Sequence, residues 1–265
     1  MTVDLADQVV LITGANRGIG REMATALGRH RAQVALTARD PDTLLDVAKT
    51  IDASGGTSSR FQLDVCNAAS VERAVDTVIN RYGRIDLLIN NAGIGDGTEL
   101  PWEQSVDALQ AVLDVNLLGP FRVTRAVMPH MQRAGSGRIV DVGSLIGANP
   151  NPRATPYAVS KAALFRWNSC LAAGAEPFGV KVFIISPGLV RTDMTSIPRF
   201  DDIPADQWVP IEKTGELIVA LASGRADALS GRFIHAMDDL NALVAAADDI
   251  QDRNLQTLGF IPFEP

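Results

Sequence analysis

The sequence predicts a doubly wound α/β fold: a seven-stranded parallel sheet flanked by helices on both faces. Three observations carry this. Short aliphatic and β-branched runs alternate with longer segments of helical period along nearly all of the 265 residues. The central runs, such as "VVLIT" at 9–13 and "VFII" at 182–185, are apolar throughout rather than alternating, as strands covered on both faces must be. The connections between runs are long enough for helical crossovers, which join parallel neighbours and place helices against the sheet.

Taken in order, "QVVLIT" (8–13) leads into the helical "IGREMATALGRH" (19–30), and "QVALTA" (33–38) into "PDTLLDVAKTIDA" (41–53). "RFQLDV" (60–65) precedes "AASVERAVDTVINRY" (68–82), and "RIDLLIN" (84–90) precedes a long helix containing "LDVNLLGPFRVTRAV" (113–127). After "GRIVDVGS" (137–144) comes "TPYAVSKAALF" (155–165), where Thr155 suits an N-cap and Pro156 the first helical position, whose N–H would be unpaired anyway. The strand "VKVFIIS" (180–186), a helix near 212–223 and the strand "GRFIHA" (231–236) complete the sheet. One connection, from Pro187 to about Pro210, is too long for a plain link, and loops of that size are usually functional. Past residue 237, Leu240, Leu243, Val244, Ala247 and Ile250 fall near helical spacing with Asp238 or Asp239 placed to cap, so the extension over 237–265 is expected to be helical. No repeat, low-complexity tract or Pro/Ser-rich linker divides the chain, which reads as a single domain over 1–265.

Composition excludes several function classes. A net charge of −7 and a pI near 5.0 oppose binding to nucleic acid or to an acidic membrane surface, since both require a basic field. No apolar run approaches the ~20 residues of a membrane span, and the first residues lack a signal-peptide layout, so the cytoplasm is the expected compartment. Cys66 and Cys170 lack a companion at metal or redox spacing and are expected to be buried as small apolar residues. His30, His130 and His235 do not cluster; all three read as structural or solvent-facing, and no metal is expected.

Two patterns carry chemistry. In "TGANRGIG" (13–20), Gly14, Gly18 and Gly20 bracket a strand-to-helix turn; glycines there let the backbone approach a pyrophosphate, while the helix N-terminus offers N–H donors and positive dipole. Tyr157 and Lys161, four apart on a helix, share one face, and an ammonium within ~4–6 Å lowers a phenol's pKa and fits it for acid/base work. A third feature is local: Asn116 lies mid-helix four residues before Pro120, so the N–H that would bond its carbonyl does not exist.

Together with "NNAG" (90–93), Asn116, Ser144 and "PGLVRT" (187–192), these segments resemble the short-chain dehydrogenase/reductase family, and the G-x3-G-x-G turn matches its shorter oxidoreductase type. The resemblance implies a Rossmann-type dinucleotide-binding catalytic domain acting on a small alcohol or carbonyl substrate. It assigns Tyr157 as general acid/base, Lys161 as the group that also binds the nicotinamide ribose, Ser144 as the orienter of the substrate oxygen, and Asn116 as support for a water relay. Cofactor contacts are implied at Gly14, Asn16, Arg17, Gly18, Ile19 and Gly20, at Arg39, at Asp64 and Val65, at Asn91, Ala92 and Gly93, and at Pro187, Gly188, Val190 and Thr192, besides Tyr157 and Lys161. It also implies a homodimer or homotetramer. The chain departs from the family pattern at "VGS" before Ser144, where "VSS" is usual, and in lacking the glycine-rich ending.

For the cofactor, the family's NAD-selecting acid falls on Ala38, while Asp40, followed by Pro41 and a helix, reads as an N-cap. With Arg17 and Arg39 flanking the adenosine-ribose position, NADP(H) is expected and NAD(H) is the alternative. A catalytically silent nucleotide-binding regulator and an epimerase or dehydratase are the rival functions; the complete Asn116, Ser144, Tyr157 and Lys161 set weighs against the regulator.

Overall fold

The computed structural model of the chain describes residues 3–95 and 98–259. Its strands are β1 (Val9–Thr13), β2 (Gln33–Ala38), β3 (Thr57–Gln62), β4 (Leu87–Asn90), β5 (Gly137–Val142), β6 (Val180–Ser186) and β7 (Phe233–His235). All pair in parallel in the order β3-β2-β1-β4-β5-β6-β7. In β1, Val10 lies between Val34 of β2 and Leu87 of β4. Alternate residues of one strand then feed opposite cores: Val10 and Ile12 join Met23, Leu27, Ile218 and Leu221, whereas Val9 and Leu11 join Val75, Val78, Val127 and Met131. This two-sided burial explains the unbroken apolar runs.

The first core is closed by α1 (Gly18–Arg29), α2 (Leu45–Ala53) and a later helix at Glu212–Ala222. The second is closed by α3 (Ala68–Tyr82) and by α5 (Gly119–Ala134), which α4 (Val106–Leu113) precedes, and by α6 (Thr155–Ala175). With the helix at Glu212–Ala222 as α7, the chain ends in α8 (Leu240–Ala245) and α9 (Ala247–Asp252). Among the described residues no helix is long and apolar enough to cross a membrane.

Several boundaries differ from the sequence reading, each for a local reason. β3 stops at Gln62 rather than Val65, because its register partner Ala38 is the last residue of β2; Leu63 to Val65 therefore leave the sheet. The second helix opens as a 3-10 turn, Pro41–Leu44, capped by Asp40, whose Oδ1 accepts the Asp42 N–H at 3.0 Å. Thr155 is not an N-cap: Ala154 holds that position without a side-chain bond, and Thr155 is already helical. The long helix is widened into a π-turn over Asp114–Leu118, where the Gly119 N–H reaches back five residues to the Asp114 carbonyl. Pro120 has no N–H for the regular bond to Asn116, and the local widening accommodates that gap. The loop after β6 holds three short 3-10 turns, Asp193–Thr195, Pro198–Phe200 and Ala205–Gln207. Cys66 is half-buried, but Cys170 is exposed on the outer side of α6, contrary to the expected burial.

The C-terminal helices pack on the chain itself. Asp239 caps α8 by accepting the Asn241 and Ala242 N–H groups, and Ala247 and Ile250 enter the first core. Arg232, 9% exposed, ties this segment down through Gln251 Oε1 (2.9 Å), Asn254 Oδ1 (2.7 Å) and the Leu255 carbonyl (3.1 Å). Charge-assisted bonds contribute roughly 1.5–3 kcal/mol, so Arg232→Ala is expected to lower unfolding stability by about 2 kcal/mol and to speed amide exchange selectively over residues 240–258. Exchange over those residues no faster than in wild type would show that apolar packing alone holds the segment.

Candidate active site

Above the C-terminal edge of the sheet, β1 sends its chain to α1 on one face while β4 sends its chain toward α4 and α5 on the other, and a cleft of about 920 Å³ opens between them. Its floor is the glycine turn. Gly14 and Gly18 have φ of 64° and 54°, a left-handed backbone that favours glycine. At Gly20 a Cβ would collide with the Gly14 carbonyl and the Asn91 side-chain amide, so only glycine lets α1 start this close to the strand. Asn91 braces the turn by donating from Nδ2 to the Thr13 and Gly14 carbonyls at 2.9 and 3.0 Å. The Thr13 hydroxyl accepts the Asn91 and Ala92 N–H groups, both at 3.0 Å.

All the sequence-predicted cofactor positions line this cleft. Gly14, Asn16, Arg17, Gly18, Ile19 and Gly20 form its floor, and Arg39, Asp64 and Val65 stand beyond the ends of β2 and β3. Asn91, Ala92 and Gly93 follow β4, and Pro187, Gly188, Val190 and Thr192 follow β6. Two features were not legible in the sequence. Arg17 reaches across to Asp193 at 2.8 Å, joining the glycine turn to the long loop. His235 also lines the cleft, and its Nδ1 accepts the Met237 N–H at 3.2 Å. Ala38 lines the wall where an acid would select NAD, and the Asp40 carboxylate beside it is used in capping.

Ser144, Tyr157 and Lys161 also line the cleft, whereas Asn116, 1% exposed, lies behind it. Asn116 accepts the Ile94 N–H at Oδ1 and donates from Nδ2 to the Ile94 carbonyl, both at 2.9 Å, and to Ser160 Oγ at 3.1 Å. Ser160 in turn donates to the Tyr157 carbonyl at 2.7 Å, which ties the π-turn to the first turn of α6. The Lys161 side chain turns inward: it is 5% exposed, donates to the Val142 carbonyl at 2.8 Å, and holds Nζ 5.4 Å from the centre of the Tyr157 ring. Burial pushes its ammonium from the ordinary 10.5 down to about 8, opposed by the charge of Asp141. Gly143, the family departure, has a packing cause: a Cβ there would come 2.7 Å from Ile184 Cγ1.

Sequence reasoning missed what supports these groups. Asp141 is fully buried in β5; its Oδ1 accepts from Asn90 Nδ2 at 2.8 Å and its Oδ2 from Asn168 Nδ2 at 2.9 Å. Burial raises its pKa, while these two amides and Lys161 act in the other direction. The available signal was an acid inside the apolar run "GRIVDV". Cys66 stays chemically quiet: burial and a bond to Asp114 push its thiol up to about 11, so little nucleophilic thiolate exists at neutral pH.

Residues 8–200 match the family model described as short chain dehydrogenase. The chain is 36% identical over 213 residues to a 3-oxoacyl-[acyl-carrier-protein] reductase of Synechocystis sp., covering 80% of this chain and 85% of that protein. It is 32% identical over 237 residues to the 3-oxoacyl-[acyl-carrier-protein] reductase of Thermotoga maritima, with 87% and 96% covered. Among solved structures, a gluconate 5-dehydrogenase from Burkholderia cenocepacia in complex with NADP and tartrate superposes with a TM-score of 0.83 at 28% identity, covering 91% of this chain and 98% of that one. A short-chain type dehydrogenase/reductase from Mycobacterium marinum superposes with a TM-score of 0.83 at 30% identity, with 88% and 95% covered.

The Lys161 environment makes a prediction about stability. Because its folded pKa of about 8 lies below the ordinary 10.5, the buried ammonium costs on the order of 3 kcal/mol below pH 8. Between pH 8 and 10.5 the unfolded chain binds the extra proton, so this cost is relieved as pH rises through that window. Chemical denaturation at pH 7, 8, 9 and 10 should therefore show wild type gaining stability relative to Lys161→Met. Parallel pH dependences in the two proteins would mean that burial leaves the Lys161 ammonium at its ordinary pKa.

Proposed function

Because the chain belongs to the short-chain dehydrogenase/reductase family, we propose that it is an NADP(H)-dependent oxidoreductase interconverting an alcohol and the corresponding carbonyl compound. The observation that carries this reading is the buried Lys161 ammonium beside the Tyr157 ring, in the same cleft as the glycine turn. The turn suits a dinucleotide: Gly20 leaves room that a Cβ would fill, and the α1 N-terminus can receive a pyrophosphate.

Bound in this cleft, a nicotinamide cofactor would supply or accept the hydride. The chain's own residues handle the proton and the oxygen. In the reductive direction Ser144 donates to the substrate carbonyl oxygen and fixes its position. Tyr157 gives its phenolic proton to that oxygen as negative charge develops. Lys161, charged below its pKa of about 8, stabilises the resulting phenolate by proximity and would hold the nicotinamide ribose. Asn116 bonds Ile94 after β4 and Ser160 of α6, and its carbonyl, left without a regular donor by Pro120, supports a water relay continuing from Lys161 through which the Tyr157 phenolate regains its proton.

For the cofactor, Ala38 offers no carboxylate to repel a 2′-phosphate, and Arg39 lines the same end of the cleft. NADP in the gluconate 5-dehydrogenase is consistent with this choice. NAD(H) is the second reading, favoured by the Arg17–Asp193 pair, which occupies one of the two arginines. The enzyme is further proposed to work in the cytoplasm as a homodimer or homotetramer. Leu118 and Phe121, 43% and 41% exposed on one helix surface, support self-association. A catalytically silent regulator is not favoured, because it would have no use for a buried ammonium that destabilises the fold.

On a working substrate, Tyr157→Phe is expected to reduce kcat by ~10²–10⁴-fold while NADPH affinity changes little. A variant retaining wild-type kcat would remove Tyr157 from the chemistry. For the cofactor, kcat/KM should favour NADPH in wild type, and Arg39→Ala should weaken NADPH by roughly 10- to 150-fold with a smaller effect on NADH. Preference for NADH in wild type, or equal losses for both cofactors in the variant, would establish the NAD(H) reading instead.

A further inference from the structure

The substrate half of the cleft is walled largely by apolar side chains, among them Ile94, Leu145, Ile146, Met194 and Phe200. One cation enters this wall, Arg199, carried by the 3-10 turn Pro198–Phe200. Some arginines are neutralised, as Arg17 is by Asp193, Arg122 by Asp114 and Arg138 by Asp227. Arg199 is not. Among the described residues no carboxylate pairs with it, and its sequence neighbours Asp201 and Asp202 are exposed. Its guanidinium rests 4.8 Å from the centre of the Phe200 ring, and Nη1 makes one long bond, 3.3 Å, to the Arg153 carbonyl. The Nε–H is buried with no acceptor among the described residues.

A buried, charged donor without an acceptor is costly, and such groups in native proteins call for a partner. The Arg153 bond places this donor at the N-terminal end of α6, four residues before Tyr157. With Nη1 turned to the main chain, Nε and Nη2 form the other edge of the guanidinium, and the buried Nε has no acceptor among the described residues. That pair matches the two oxygens of a carboxylate, and the planar fork is the geometry in which arginine binds such groups most tightly. We propose that the substrate is a carbonyl or hydroxy compound bearing a carboxylate, and that Arg199 binds that carboxylate while Tyr157 and Ser144 face the reacting oxygen. The apolar wall between Arg199 and Ser144 accommodates the carbon chain joining the two groups.

This inference rests on the oxidoreductase reading, and its test separates the two. Wild type, Arg199→Ala and Arg199→Lys are assayed with NADPH and with NADH against a graded series of oxo-monocarboxylates, their methyl esters and size-matched simple ketones. Wild type should favour each acid over its ester. Arg199→Ala should lower the acid-to-ester ratio of kcat/KM by roughly 10- to 150-fold, chiefly through KM, and Arg199→Lys should restore part of it. In parallel, hydroxy-monocarboxylates and their methyl esters are titrated calorimetrically into the enzyme saturated with NADP+. Binding of the acids should exceed that of the esters and should weaken in Arg199→Ala. Turnover of ketones and esters with no advantage for acids, or an acid-to-ester ratio unchanged by Arg199→Ala, would overturn the carboxylate assignment and leave the oxidoreductase reading standing. Absence of turnover on every carbonyl compound would count against the oxidoreductase reading, and the calorimetric arm would still decide the Arg199 site: acid binding lost in Arg199→Ala supports it, and equal binding of acid and ester overturns it.

Discussion

Where β1 and β4 lie side by side, their chains depart to opposite faces of the sheet, and the cleft exists because nothing fills the gap they leave. Everything functional in the molecule depends on holding the two sides of that gap at a set distance. Asn91 does much of this from the β4 side, spending both N–H groups of its amide on carbonyls of Thr13 and Gly14. The Thr13 hydroxyl answers by accepting two main-chain N–H groups from Asn91 and Ala92. Side chains and backbone are interlocked here, so Gly20 has no room for a Cβ. The result is a rigid strand-to-helix turn whose N–H groups face the cleft, as a site for a phosphate requires.

On the far side of the cleft the governing problem is charge. An ammonium and a carboxylate, Lys161 and Asp141, are both removed from water, and each is destabilising unless its polar atoms are met. Asp141 obtains donors from Asn90 and Asn168, and these amides are further engaged by Thr124 Oγ1 and the Phe183 carbonyl. Five elements, β4, β5, β6, α5 and α6, are thereby tied into one polar knot beneath the lysine. Lys161 itself is held by the Val142 carbonyl, next to Asp141 in β5. The knot is not fully met, since Asn90 Oδ1 and Asn168 Oδ1 are buried without a partner among the described residues, yet each amide is fixed by two bonds from its nitrogen. It presents an ammonium to the Tyr157 ring in a fixed direction, which a surface lysine on a flexible stem could not do.

The long loop after β6 behaves differently. It has little regular structure beyond three short turns, yet it supplies Met194, Arg199 and Phe200 to the cleft and Asp193 to the ion pair with Arg17. The rigid floor and lysine side suit a cofactor and a reaction shared across a family, while the loop suits discrimination among substrates.

Much of this was legible in the residues alone. Apolar runs of strand length separated by helical segments determined the doubly wound sheet, because burial on both faces leaves no other pattern. Local chemistry determined the glycine turn, the Asp40 cap, a cap at Asp238 or Asp239 that the structure gives to Asp239, and the i, i+4 placement of Tyr157 and Lys161, since each depends on neighbours within a few positions of the chain. Pro120 likewise announced the disturbed helix at Asn116 through its missing N–H, though not its form as a π-turn. Tertiary structure alone decided the rest. It set the end of β3 by register with β2, turned Lys161 inward over the Asp141 knot, brought Asp193 across to Arg17 and left Arg199 without a counter-charge. In these cases the deciding partners are separated by many residues along the chain, and whether two charges meet, or one is left unmet, depends on distances that no local spacing encodes.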